Sequence, residues 1–123
     1  MNRPAKFRIE LTHRALDDLQ KIYAHSRESW GKRVTEKYLE ELEAGLLRIE
    51  QNPDVLTPES SLHPQLYFYR VKKHLFACDR RGKTIIVLII LHSSMDVPSR
   101  LSELQPMLAA EVELLHKQLQ SKN

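Results

Sequence analysis

The chain opens with hydrophobic and charged residues in strict alternation. Over residues 6–11, Phe7, Ile9 and Leu11 are separated by single charged residues. This period of two is typical of a strand that buries one face. Thr12 follows at once and can cap a helix with its hydroxyl group. The sequence therefore predicts a first strand over 6–11 that leads directly into a helix.

The pattern then changes to a helical period. Hydrophobic residues recur every three or four positions over residues 15–30 and again over 34–49, and Gly31 separates the two runs. Glycine interrupts a helical pattern, and Asn52 followed by Pro53 ends it. These positions predict two amphipathic helices joined as a hairpin.

A loop and three further strands follow the helices. Residues 53–64 contain three prolines and no periodicity, which is typical of a surface loop. Residues 66–71, 75–78 and 84–91 are rich in branched and aromatic side chains, and the stretch DRRGK predicts a turn around Gly82. Because 84–91 is almost continuously hydrophobic, it predicts a central strand with both faces covered.

The last part of the chain has a leucine stripe of its own. Leucine or valine recurs every three or four positions over residues 101–119, which predicts a third helix with a break near Pro106. This helix can cover the second face of the sheet, or it can pair two copies of the chain as a homodimer. The predicted fold is α+β, with an N-terminal strand, a helical hairpin, an antiparallel sheet of three to four strands and a C-terminal helix. Residues 1–97 form the domain, and 98–123 are its helical extension.

Composition narrows the class of protein. A chain of 123 residues, 41% hydrophobic and 28% charged, is sufficient for one globular domain. The N-terminus has no hydrophobic segment, and the longest hydrophobic run, 85–91, is too short to cross a bilayer, so we expect a cytoplasmic protein without membrane contact. The single cysteine, Cys78, excludes an internal disulfide, and we expect it in the core. No residue pattern predicts a metal site or a cofactor.

Positive charge is concentrated in one stretch, which we call the basic hairpin. Residues 70–83 hold six basic side chains against Asp79 alone: Arg70, Lys72, Lys73, Arg80, Arg81 and Lys83. Such a concentration attracts a nucleic acid backbone or an acidic protein surface. The alternative is a solvated sheet edge, where Lys and Arg prevent edge-to-edge aggregation.

Several motifs in this order resemble the RelE/ParE superfamily, the toxins of bacterial type II toxin-antitoxin pairs. They are WGKRVTEKYLEEL in the second helix, NP after it, VKKHLF at the middle strand and LHSSMD at the last. The resemblance is closer to ParE, because His74 opens the middle strand and His92, Met95 and Asp96 form a His-x-x-Met-Asp motif after the last strand.

Resemblance to ParE implies a toxin that inhibits DNA gyrase by binding it, without catalysing a reaction. The residues implied to bind the target lie in the basic hairpin and around the end of the last strand: Arg70, Lys72, Lys73, His74, Arg80, Arg81, His92, Asp96 and Arg100.

Resemblance to RelE implies a different activity, the cleavage of mRNA on the ribosome. That chemistry needs a general base, a general acid and cations near the phosphate. The residues implied are His74, His92, Arg70, Lys73 and Arg80. In the alternative interpretation both histidines are structural, with hydrogen bonds to the backbone at strand ends. A third interpretation of the sequence is a non-toxic module that binds protein or DNA through its last helix.

Resemblance to ParE and resemblance to RelE imply the same partner, a cognate antitoxin with an amphipathic segment that wraps the toxin. Its implied anchors are large hydrophobic side chains of the helical hairpin: Leu16, Leu19, Tyr23, Trp30, Tyr38 and Leu42. The alternative is that all six are internal to the core.

Overall fold

The described residues of this computed structural model, 7–58 and 66–92, form a five-stranded sheet with a helical element on one face. Its strands in chain order are β1 (Arg8–Leu11), β2 (Thr57–Pro58), β3 (Leu66–Val71), β4 (His74–Arg81) and β5 (Thr84–His92). The helical element α1 (His13–Gln51) and a short 3₁₀ helix (Pro53–Val55) lie between β1 and β2. The α+β class predicted from the sequence is confirmed.

The sheet is mixed, which corrects the prediction of three to four antiparallel strands. Its order is β1-β5-β4-β3-β2, and β1 runs parallel to β5 while all other neighbours are antiparallel. Two antiparallel turns after β3 return β5 to the direction of β3, and β1 runs in this same direction. The additional strand is β2, inside the predicted loop 53–64. Its Pro58 is tolerated because β2 lies at the sheet edge.

The helical element α1 is divided at Gly31, the position where the sequence predicted one helix to end and the next to begin. Gly31 has non-helical backbone angles, φ 84° and ψ 174°, between two helical stretches. The side-chain oxygens of Ser26 and Thr35 lie 3.0 Å apart, although a straight helix would separate residues nine positions apart by about 13 Å along its axis. The kink therefore lies where glycine was expected to interrupt the pattern. We call residues 13–30 and 32–51 the first and second segments of α1.

Both antiparallel connections near the C-terminal end of the described chain are two-residue turns. The first is at 72–73, where Lys72 has φ 54°, and the second is at 82–83, where Gly82 has φ 57°. The stretch DRRGK is mostly strand, because β4 continues through Arg81. The eight residues of β4 therefore separate the two turns by about 23 Å.

Strand β5 is buried on both faces, as its hydrophobic run predicted. The face toward α1 joins strand residues to buried residues of the helix: Phe76, Cys78, Ile85, Val87 and Ile90 with Ala15, Leu42 and Ile49. The opposite face has a second buried cluster: Leu66, Ala77, Ile89 and Leu91. Cys78 is fully buried, as expected. The predicted third helix, with its role as cover or dimer contact, and the boundary at residue 97 lie outside the described residues.

Strand β5 contains one extra residue, Leu88, and its pairing with β1 ends beside this residue. Ala77 faces Ile89 and Cys78 faces Val87, so Leu88 is inserted as a bulge. The pairing of β1 with β5 also ends at Val87. Beyond this point the edge of β5 needs other partners, because buried backbone groups must be hydrogen-bonded.

The start of α1 supplies those partners. The backbone N–H of Thr12 donates to the Val87 carbonyl at 3.1 Å, and its hydroxyl donates to the Leu88 carbonyl at 2.6 Å. Six residues further on, the Asp18 carboxylate accepts from the Ile90 N–H at 2.9 Å and pairs with Arg14 at 3.0 Å. Thr12 and Asp18 therefore join the helix to the bulged half of β5.

Replacing Thr12 tests this junction. The Thr12 hydroxyl also accepts from the Ala15 N–H at 3.0 Å, so Thr12→Val removes both a helix cap and the partner of a partly buried carbonyl. We expect a loss of about 1–3 kcal/mol in the free energy of unfolding, measured by urea denaturation. Thr12→Ser keeps the hydroxyl and should lose clearly less. Equal losses for both variants would contradict the role of the hydroxyl.

Gly45 tests the packing of α1 on β3. A Cβ atom at Gly45 would lie 2.5 Å from Cγ2 of Val71. Gly→Ala in a helix is otherwise favourable by about 1 kcal/mol, so a destabilising effect of about 1–3 kcal/mol would report the steric overlap. The double variant Gly45→Ala/Val71→Ala should lose less stability than the two single losses added together. A more stable Gly45→Ala protein would refute the close approach.

Candidate functional site

The basic hairpin is not one continuous patch in the structure. Its residues separate to the two ends of β4: Arg70, Lys72 and Lys73 lie at the 72–73 turn, and Arg80, Arg81 and Lys83 lie at the 82–83 turn. Their proximity in sequence suggested one surface because the turn was expected over the whole DRRGK stretch. The extension of β4 through Arg81 separates the groups instead.

The two arginines near the 82–83 turn contact the protein's own fold. Arg80 lies over the rings of Phe7 and Tyr67, 5.7 and 6.0 Å from their centroids. Its Nη1 atom is 3.5 Å from the Asp54 carboxylate. Nε of Arg81 lies 3.2 Å from the carboxylate of Asp79. Both guanidinium groups therefore stabilise the sheet and its edge.

At the other end of β4, the structure brings both candidate histidines together. His74 and His92 face each other across β4 and β5, with ring centroids 5.3 Å apart and planes at 79°. Tyr38 reaches them from the second segment of α1, and its hydroxyl oxygen lies 2.5 Å from Nδ1 of His74. Tyr38 was expected to be an antitoxin anchor; its hydroxyl is a hydrogen-bond partner of His74.

Burial keeps this cluster neutral at its centre. Desolvation, and secondarily the proximity of His92, lower the pKa of His74 to about 4. Desolvation also raises the pKa of Tyr38. The backbone of Lys73 is a second hydrogen-bond partner of the Tyr38 hydroxyl, so this oxygen lies between Lys73 and Nδ1 of His74.

These residues line one side of a large cleft, which we call the histidine cleft. It has a volume of about 820 Å³ and lies between the kink of α1 and the ends of β4 and β5. Its lining combines hydrophobic and cationic side chains: Ile22, Trp30, Val34, Ile90 and Leu91 with Lys72 and Lys73. Trp30 is 68% exposed. Arg14 and Lys21 also line it, and each has a carboxylate partner within α1 at 3.0 Å.

A second, smaller depression lies between the two segments of α1, and we call it the helix groove. It has a volume of about 290 Å³ and a mainly hydrophobic lining: Leu19, Tyr23, Leu39, Leu42 and Leu46 with Gln20 and Glu43. Leu16, 47% exposed, lies on the same segment as Leu19 and Tyr23. Leu42 is only 1% exposed and belongs to the core, so its proposed role as an antitoxin anchor is not retained.

Of the remaining predicted site residues, Arg70 is described by the structure and two others are not. Asp96 and Arg100 lie outside the described residues. Arg70 is at the cleft end of β3, and its Nε donates to the Lys72 carbonyl at 3.0 Å.

Within 7–58 and 66–92, no group of three or more His, Cys, Asp or Glu side chains is placed to hold a metal ion. Among those same residues, none of the helical stretches has the length and hydrophobicity to span a bilayer.

One protein-family model matches most of the length of this chain. The model for the family described as "ParE toxin of type II toxin-antitoxin system, parDE" matches residues 9–97. The chain belongs to the ParE toxin family. That match includes β1 from Ile9 onward, the other four strands, α1, and both His74 and His92.

Similarity in sequence to a ParE toxin agrees with this assignment, and a solved structure has a similar fold. The chain is 33% identical to the Toxin ParE of Escherichia coli over 94 residues, which cover 76% of this chain and 91% of that protein. Its fold is similar to a solved structure, "Chromosomal ParDE TA system from P. aeruginosa", with a TM-score of 0.61 at 19% identity. That alignment covers 70% of this chain and 95% of the other.

Some residues of the cleft were not found from the sequence. Ile22 and Val34 were interpreted only as members of the helical stripes, because a hydrophobic residue at helical spacing normally faces the core. In the structure they line the cleft, and Val34 is half exposed. The one available signal was Gly31: a kink there turns the residues on both sides of it, Trp30 and Val34, toward the strand ends.

The half-buried His74 predicts a pH dependence of stability. Its pKa is about 4 in the folded chain and about 6.5 when unfolded, so between these values the unfolded state binds more protons. Stability should therefore fall as the pH is lowered from 6.5 toward 4, measured by urea unfolding at several pH values. His74→Gln should make this part of the profile flatter. An unchanged slope in that variant would show that other groups cause the loss.

Proposed function

We propose that this ParE family member is the toxin of a type II pair, that it arrests growth by binding and inhibiting DNA gyrase, and that a cognate antitoxin neutralises it. The observation that supports this best is the family match over residues 9–97, with 33% identity across 91% of the Toxin ParE of Escherichia coli. Inhibition by binding requires a complementary surface and no bond-making residues. The histidine cleft and the lysines beside it offer such a surface.

The helix groove is suited to the antitoxin. Its hydrophobic lining between the two segments of α1 fits the hydrophobic face of an amphipathic segment. Tyr23 is exposed in the groove, and Leu16 is exposed on the same segment of α1. Both can gain burial on binding, worth about 1.5–3 kcal/mol for each large side chain fully buried. The antitoxin anchors supported by the structure are therefore Leu16, Leu19 and Tyr23.

A second candidate function is that of a RelE-like ribonuclease, and the contact of His74 with His92 favours it. A neutral imidazole that resists protonation can act as a general base. Of the residues implied for this chemistry, however, Arg80 lies at the far end of β4 and contacts Asp54. His74, His92 and Lys73 line the cleft without it. This arrangement has less cationic support for a phosphorane than the sequence suggested.

A gyrase supercoiling assay with the full-length chain tests the proposal. We expect inhibition to approach completion at a small molar excess over gyrase, and the antitoxin to restore supercoiling. A parallel reaction with translating ribosomes should leave the mRNA intact. Unchanged supercoiling at large excess would contradict the proposal. Cleavage of mRNA that His74→Gln abolishes would support the ribonuclease instead.

A further inference from the structure

Among the described residues, Lys72 and Lys73 at the 72–73 turn line the histidine cleft, whereas Lys83 is exposed at the opposite turn, away from it. Arg80 and Arg81 are held by carboxylates and rings of the same fold. At the 72–73 turn, Lys72 and Lys73 are exposed, and the ion pair of Lys72 with Glu41 is loose at 3.9 Å. Lys72 and Lys73 therefore give the cleft a local attraction for a negative partner.

The cleft beside this turn also exposes hydrophobic surface. Trp30 and Val34 are among the most exposed large hydrophobic residues in the described part of the chain, and both line the cleft with Ile90 and Leu91. An exposed tryptophan next to a concave surface is the kind of residue that dominates binding energy at interfaces. The cleft therefore combines a hydrophobic lining with a cationic rim.

This combination favours a protein over a nucleic acid. A phosphate backbone is bound mainly by several unpaired cations along its path, whereas Arg14 and Lys21 in this cleft already have carboxylate partners. The neutral Tyr38–His74 pair offers hydrogen bonding without charge. A peptide with hydrophobic side chains and neighbouring carboxylates would satisfy both the lining and the rim.

We propose that the histidine cleft is the target-binding surface, and that it takes an acidic, amphipathic segment of the gyrase protein. Hydrophobic side chains of that segment contact Trp30 and Val34, and its carboxylates face Lys72 and Lys73. This inference rests on gyrase as the proposed target. It separates the two partners, with the target in the histidine cleft and the antitoxin in the helix groove.

Two single substitutions and one matched control test the assignment in the full-length chain. Trp30→Ala removes the exposed anchor, and Lys73→Glu reverses one rim charge. Lys83→Glu makes the same charge reversal at the opposite turn. We expect Trp30→Ala and Lys73→Glu each to raise the concentration for half-maximal inhibition of supercoiling by about tenfold or more. Lys83→Glu should leave it unchanged. Because all three side chains are exposed, urea unfolding should give wild-type stability.

Further measurements assign the occupant of the cleft. Antitoxin affinity of Trp30→Ala and Lys73→Glu should equal that of the wild type, and both should keep its oligomeric state. Loss of antitoxin affinity, or of self-association, would overturn the inference and assign the cleft to that partner.

Trp30 is the only tryptophan, so its fluorescence reports on the cleft. Saturable quenching by a single-stranded DNA oligonucleotide, weakened by Lys73→Glu, would assign the cleft to nucleic acid and overturn the inference.

Failure of the proposed function and failure of the cleft assignment give different results. If the wild-type chain does not inhibit gyrase, the proposed function fails. If the wild type inhibits gyrase but Trp30→Ala and Lys73→Glu inhibit it equally well, the proposed function stands and the target binds elsewhere.

Discussion

The fold depends on how the edge of β5 is completed after β1 ends. Strand β1 pairs only as far as Val87, and the bulge at Leu88 leaves backbone groups in the interior that still need partners. Thr12 and Asp18, at the start of α1, supply them with a hydroxyl and a carboxylate. An unpaired buried backbone group costs about as much as a lost hydrogen bond. The beginning of α1 is therefore fixed on the sheet, and the segments that follow inherit that position.

The histidine cleft is a consequence of this placement. With the first segment of α1 fixed at Asp18 and the chain turned at Gly31, the second segment returns along the sheet and places Tyr38 against His74. Close packing of Gly45 on Val71 holds the later part of the second segment near β3. The kink itself projects past the ends of β4 and β5, so Trp30 and Val34 remain exposed beside them.

Local patterns in the sequence were sufficient for the class of fold and for most elements. Alternation identified β1, helical spacing and Gly31 identified α1 with its break, and the hydrophobic run identified β5 as central. The parallel pairing of β1 with β5 was missed because it joins residues far apart in the chain, and no local period reports it. Strand β2 was missed because Thr57 and Pro58 form a strand only through their pairing with β3. For the site, the motif around His74 and His92 was recognised, but the separation of Arg80 from Lys73 depended on the length of β4.

The complete burial of Cys78 has a practical consequence. It is the only cysteine in the chain, it is inaccessible on β4, and burial with a neighbouring Asp79 raises the pKa of its thiol far above neutrality. Reactivity of a thiol depends on its thiolate form and on access to reagent. The native protein therefore behaves toward maleimides and oxidants as if it had no cysteine. A single cysteine introduced at a surface position would take one spectroscopic probe without any need to remove Cys78 first.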